Sequence, residues 1–510
     1  MDYVSTRGGS PAVPSAEAIR RGLAPDGGLY VPSEIPAFEP EEIEALARVP
    51  FVDRIVAVLS RFLTDYTPAE LRRYAEEAYG EERFQPAPAP LVQLNPYSDR
   101  LWMLELWHGP TAAFKDMALQ ILPHLLKAAL RKCGTEREVR ILAATSGDTG
   151  KAALEGFKDI PGTSVVVFYP ARGVSEAQRL QMATQEGANC RVVAVEGTFD
   201  DTQAGVKEIL ADAATAAELD AAGVFLSSAN SINWGRLAPQ IAYYFSAYAD
   251  LLAAVPKEPG VPMKMGERVD FVVPTGNFGN ILAAWYAKRM GLPVGRLVCA
   301  SNRNKVLADF LRTGVYDRRR EFHRTISPSM DILVSSNLER LLHEVSGRDA
   351  ARVSGWMGDL AAKGSYSVDP AALRTLQETF VGGFADDAAT IRTIREIYDR
   401  FDHVVDPHTA VGFHVLERVS TRPGTPGAPP PRTVVVSTAS PFKFGASVCD
   451  ALFGNGYSRG RGEDVLLQEL AAESGLAIPA GLDGLTQKEI RHTAVIPPSG
   501  MRDEALRAFG

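Results

Sequence analysis

One unit recurs through the middle of this sequence: an apolar, β-branched run, a glycine-containing turn, then a helical pattern. Residues 139–144 lead through Thr145-Ser146-Gly147-Asp148-Thr149-Gly150 into a helical stretch at 151–157. Residues 164–169 precede a helix from about Ser175, and 191–195 precede one from about Thr202. Residues 269–273 lead through Pro274-Thr275-Gly276-Asn277-Phe278-Gly279-Asn280 into a helix at 281–290. Further strands are expected at 297–300 and 433–437. Strands of this kind are apolar on both faces and need helices on both sides. The alternation therefore predicts an α/β fold with buried, largely parallel sheets.

Composition narrows the function classes. A chain of 510 residues accommodates two to four domains at about 150 residues each. A formal net charge of -8 argues against a nucleic-acid surface and leaves a small molecule as the default partner. Cys133, Cys190, Cys299 and Cys449 lie far apart and form no CxxC pair, so no metal site is expected. So few cysteines fit a reducing compartment. No uncharged stretch approaches the ~20 residues of a membrane span, and residues 1–7 lack the apolar core of a signal peptide. The expected location is cytoplasmic.

Several segments carry chemistry. Lys115 follows a Gly-Pro turn, lies between Phe114 and Asp116, and precedes a helical pattern of Met117, Ile121, Leu122, Leu125 and Leu126. A lysine at such a place is a candidate for a lowered pKa and a nucleophilic amine. In the turn 274–280, Gly276 and Gly279 let successive amides face one guest at a helix start, which makes an anion site suited to phosphate. Its Gly-x-x-Gly spacing is not that of a dinucleotide fingerprint. The turn 145–150 is a second anion site, suited to a carboxylate; Ala152 stands where a nucleotide P-loop needs a hydroxyl. Thr438, near the end of a strand, can hydrogen-bond a heterocyclic nitrogen without charging it. Asn233 and Arg236 offer an amide and a planar guanidinium fork for another anion. His108 and His408 are acid–base candidates, although a lone histidine is more often structural. A Schiff-base lysine, a phosphate turn and a partner for a ring nitrogen are together what pyridoxal phosphate requires.

These motifs, in this order, resemble the threonine synthase family in its longer bacterial and fungal form. The likeness includes Tyr3-Val4-Ser5-Thr6-Arg7-Gly8, residues 22–30, 108–116, 145–150, 230–236, 274–280, 327–331 and 406–410. It implies fold type II of the pyridoxal-phosphate enzymes, with two α/β domains of open twisted sheet and the cofactor between them. It also implies an N-terminal helical and mixed segment at 1–90, a catalytic core at 91–451 with its smaller subdomain at roughly 110–250, and a C-terminal extension at 452–510. The resemblance carries Lys115 over as the cofactor lysine. Gly276, Asn277, Phe278, Gly279 and Asn280 become the cofactor-phosphate turn, and Thr438 the pyridine-nitrogen partner. Ser146, Asp148 and Thr149 fall near the substrate carboxylate, and Asn233 and Arg236 near the substrate phosphate. The implied reaction converts O-phospho-L-homoserine and water to L-threonine and phosphate in a monomer or homodimer. Leu338 stands where the pattern has an aromatic residue, and the Pro-rich stretch at 420–432 is individual to this chain. The competing expectations are a dehydratase or phospholyase on the same fold, and a non-catalytic binding protein. Intact Lys115, Asn277 and Thr438 speak against the last.

Overall fold

Two separate parallel sheets take up the alternating units in the computed structural model, which describes residues 1–510 except 96–97, 136, 146, 173, 255–261, 421–430, 508 and 510. The smaller sheet orders its strands Val495–Ile496, Cys190–Val195, Thr163–Pro170, Glu138–Ala144 and Val224–Ser228, all parallel. The larger orders Phe380–Phe384, Val294–Ser301, Val269–Pro274, Arg432–Ser437, Leu101–Glu105 and Leu91–Gln93; only the last pair is antiparallel. Central strands such as Thr163–Pro170 and Val269–Pro274 are buried along their whole length, as a parallel sheet covered on both faces requires.

The N-terminal segment forms a small antiparallel sheet of Val13–Pro14, Asp2–Ser5 and Tyr30–Pro32, followed by helices. Among these, Pro68–Tyr79 opens on a capping box that satisfies two orphan amides: Thr67 accepts from the Glu70 N–H and Glu70 accepts from the Thr67 N–H. The helix expected from about Thr202 begins earlier, at Phe199. There Thr198 and Asp201 form another such box.

The C-terminal extension contributes a strand as well as helices. After the helix Glu463–Ser474 it crosses to the smaller sheet and adds the edge strand Val495–Ile496. On the way Leu482 and Leu485 are buried against the same cluster as Leu180 of the helix Glu176–Ala183. Gly481 presses on the lysine segment: a Cβ there would sit 2.1 Å from the Pro110 carbonyl oxygen. The Pro-rich stretch lies, from 421 to 430, outside the described residues.

One helix organises the centre. Trp234–Ala253 is buried over nearly all its 20 residues. It packs on Phe51–Phe62, Asp116–Leu119 and Gly279–Arg289, thereby touching the N-terminal segment, the lysine segment and the helix that follows the turn 274–280. No described helix is long and apolar enough to cross a membrane.

Candidate active site

The lysine segment is folded by its own residues and then tied to the larger sheet. Thr111 donates from its N–H and hydroxyl to the two Asp116 oxygens, each at 2.8 Å. Gly109 is required beneath them, since a Cβ would lie 2.6 Å from Asp116 Oδ2. Ala112 adopts a left-handed φ of 57°, sparsely populated for a residue with a Cβ. The Phe114 N–H donates to the Thr438 carbonyl at 2.8 Å and the Ser440 N–H to the Ala112 carbonyl at 3.0 Å. Lys115 and Thr438 are 323 positions apart in sequence, but these two bonds hold their backbones side by side.

The Lys115 side chain is 12% exposed. Its Nζ donates to Ser329 Oγ at 3.1 Å and lies 3.5 Å from Asp148 Oδ2. Burial is the largest influence on it and lowers its pKa; Asp148 opposes this, while Lys443 and Arg236 add to it. A lowered pKa leaves more of the amine neutral and nucleophilic.

Asp148, at the start of the helix Asp148–Phe157, is the electrostatic centre of the site. It accepts from Lys443 Nζ at 2.8 Å, from Gln178 Nε2 at 3.0 Å and from Ser329 Oγ at 2.9 Å. Burial alone would favour its neutral form, but Lys443 and Lys115 reverse that and hold the carboxyl well below the usual range. Lys443 also donates to the Thr111 carbonyl at 2.8 Å. Asp148 belongs to the smaller sheet's layer, and Ser329 and Lys443 come from the other side. One carboxylate thus joins both halves to the lysine.

Ser329 is held in turn. Its N–H donates to His408 Nε2 at 3.2 Å. That nitrogen is therefore an acceptor, and the ring proton sits on Nδ1, 2.7 Å from Asp406 Oδ1. The Asp406 carboxylate also accepts from the Thr409 hydroxyl and from the His408 N–H. The Ser329 carbonyl abuts the phosphate turn: a Cβ on Gly276 would be 2.6 Å from it.

The turn 274–280 has the geometry of an anion cradle. Phe278 takes a left-handed φ of 64° as the N-cap of Gly279–Arg289, with its ring buried. The Asn277 carbonyl accepts from the Asn337 N–H and Nδ2, and the Gly276 carbonyl from Ser335 Oγ. With those carbonyls turned to the protein and the turn opening a helix, its amides are left for a guest. Asn280 is buried with its Nδ2 lacking any acceptor, as is Arg236 Nε. Burial lowers the Arg236 pKa to about 10, and no carboxylate among the described residues pairs with it. Buried donors left without acceptors are costly, and both would be satisfied by phosphate oxygens.

The remaining expected residues divide. Thr149 is half-buried one position after Asp148. Ser146 lies outside the described residues. Asn233 caps the helix Trp234–Ala253, accepting from the Gly235 N–H at 2.8 Å and donating to the Ile19 carbonyl at 2.8 Å; both ends of its amide are engaged. His108 stacks on Trp107, and its ring nitrogens face the Gln85 carbonyl at 2.9 Å and Glu105 at 2.7 Å. Neither nitrogen is engaged by Lys115. Sequence reasoning missed Ser329 as a lysine partner, although it had singled out its segment, and missed Lys443, which carries no local signal.

A largely buried lysine, a glycine turn at a helix start and a strand-end hydroxyl, set on two parallel sheets, are the set that marks a pyridoxal-phosphate enzyme of fold type II. The family model "Pyridoxal-phosphate dependent enzyme" matches residues 83–378, and "Threonine synthase N terminus" matches residues 2–79. The chain belongs to the threonine synthase family. It is 40% identical over 455 residues to the threonine synthase of Pseudomonas aeruginosa, covering 89% of this chain and 91% of that one. It is also 40% identical over 448 residues to the human protein named threonine synthase-like 1, covering 86% of this chain and 58% of that one. Its fold superposes on the crystal structure of pyridoxal-phosphate-bound threonine synthase from Brucella melitensis with a TM-score of 0.84, at 36% identity and 99% coverage of both chains.

Proposed function

We propose that this chain converts O-phospho-L-homoserine and water to L-threonine and phosphate. The observation that carries the reading is a pair of buried donors without acceptors, Asn280 Nδ2 and Arg236 Nε, in a site built round Lys115. One phosphate answers the cofactor and a second answers a phosphorylated substrate. Lys115 would hold the cofactor covalently, the amides of 276–280 with Asn280 would hold its phosphate, and Thr438 would meet its ring nitrogen. When bound, pyridoxal phosphate withdraws electrons from the substrate carbons beside its amino group.

The chain's own residues supply the rest. Lys115, with its lowered pKa, moves the proton at the substrate's Cα. Ser329 and Asp148 orient its amine. Lys443 already balances the Asp148 charge. The substrate carboxylate would therefore meet Ser146, Thr149 and the positive end of the helix Asp148–Phe157. Arg236 would hold the leaving phosphate through its guanidinium fork, with Asn233 fixing the start of the helix Trp234–Ala253 that carries it. All four cysteines are free, which fits a cytoplasmic enzyme, acting as monomer or homodimer.

The test is a product assay. Incubated with O-phosphohomoserine and pyridoxal phosphate, the protein is expected to release threonine and phosphate in equal amounts, and Lys115→Ala to release neither. Predominance of 2-oxobutyrate would instead make it a dehydratase or phospholyase on the same fold. The second reading is cofactor binding without turnover; lysine-dependent cofactor absorbance with no product would establish it.

A further inference from the structure

Asn280 does not stand alone at the phosphate turn. Its Oδ1 accepts two hydroxyls, from Tyr243 at 2.5 Å and from Tyr244 at 2.6 Å. Tyr244 also reaches the Asn280 carbonyl at 3.1 Å. An amide oxygen has two lone pairs, and both are used. The Nδ2 is left as a buried donor with no acceptor. Both phenols are fully buried, so no bulk water can replace them. Their rings are fixed by packing, 4.8 Å apart, with Tyr244 edge-on to Phe271 at 5.0 Å. The Tyr243 hydroxyl has a second acceptor in Gln240 Oε1, at the longer distance of 3.2 Å, and Gln240 donates back to the Arg236 carbonyl at 2.6 Å. One helix, Trp234–Ala253, carries Arg236, Gln240, Tyr243 and Tyr244.

We propose that Tyr243 and Tyr244 are positioning residues for the cofactor phosphate: together they clamp the Asn280 oxygen and so turn its Nδ2 toward the phosphate-binding turn. The proposal rests on the reading of 276–280 as that turn. Without the hydroxyls the amide is free to rotate, and its oxygen, which repels a phosphate, is as available as its nitrogen. The clamp also joins the cofactor's anion site to Arg236 through one rigid helix, so that both are placed by the same element.

Two ligands separate a phosphate-positioning role from a merely structural one: pyridoxal phosphate, and pyridoxal, which keeps ring and aldehyde but lacks the phosphate. Each is titrated into the cofactor-free full-length chain, with tryptophan fluorescence as the readout. Tyr243→Phe/Tyr244→Phe is expected to weaken pyridoxal phosphate by about tenfold or more, the scale of a lost hydrogen bond to a charged group. Pyridoxal affinity should stay within about twofold. In an Asn280→Ala background the tyrosine pair should change pyridoxal phosphate affinity by no more than about twofold, because groups acting through one residue are not additive. Equal losses for both ligands would overturn the clamp. So would a tyrosine pair that keeps wild-type affinity while Asn280→Ala loses it. Wild-type affinity in Asn280→Ala itself would overturn the phosphate-turn reading, and the clamp with it. Should the double variant not fold, Tyr244→Phe and Tyr243→Phe singly are read on the same scale.

Discussion

Lys115 is a reactive-lysine candidate from its neighbours in sequence, but its surroundings come from elsewhere. Ser329 is 214 positions away and Lys443 is farther still. A serine beside a proline and a lysine between two phenylalanines announce nothing until the fold sets them round Asp148. Arg236 and the 276–280 turn could be singled out as anion-site candidates, because a guanidinium and two glycines stand at helix starts. Asn233 shows the limit: its amide is consumed in capping, which residue type alone does not reveal. Asp116 is legible in position but not in charge. It is wholly buried, and burial raises its pKa to about 6 against two opposing bonds from Thr111. A carboxyl with a raised folded pKa binds its proton more tightly in the fold, so it withdraws stability as pH rises from about 4 to about 6. At about 1.4 kcal/mol per pKa unit the loss is roughly 3 kcal/mol. Asp116→Asn abolishes that slope. Its melting temperature, relative to the parent chain, should therefore rise between about pH 4 and about pH 7; parallel melting curves would refute the assignment.

At the level of elements, the strand–turn–helix alternation predicted both sheets, because apolar runs of this length bounded by glycine turns have one economical packing. The boundaries were less accessible, since caps such as Thr198 with Asp201 look like ordinary loop residues until their bonds are seen. The turn 274–280 makes a sharp element-scale prediction. Gly276 is needed for room, because a Cβ would meet the Ser329 carbonyl at 2.6 Å. Backbone on both sides leaves little scope to yield. Gly276→Ala should displace the 327–331 segment and the turn together, weakening pyridoxal phosphate by about tenfold or more and lowering kcat through Ser329. Equilibrium titration and steady-state kinetics on one preparation check both, and an unchanged cofactor affinity would contradict the close approach.

For the whole molecule, sequence reasoning reached two α/β halves but not their interleaving. The two-residue strand Val495–Ile496 has no periodicity to read, and its pairing with Cys190–Val195 spans some 300 positions. The crossing C-terminal segment ties the halves at Gly481, against the Pro110 carbonyl. Gly481→Ala, although it touches no proposed ligand, should push the lysine segment and cost about tenfold to hundredfold in kcat; steady-state kinetics with a wild-type rate would show that the contact yields freely. The interleaving also bears on how the chain is made. Leu101–Glu105 must wait for Arg432–Ser437, and the edge of the smaller sheet for residues 495–496. Neither sheet is complete until most of the polypeptide has left the ribosome. For much of translation, the early strands carry apolar faces and unpaired edges, the species most prone to aggregate. A catalytic centre assembled from both ends of a chain therefore places on its synthesis a demand for protection that the finished enzyme no longer shows.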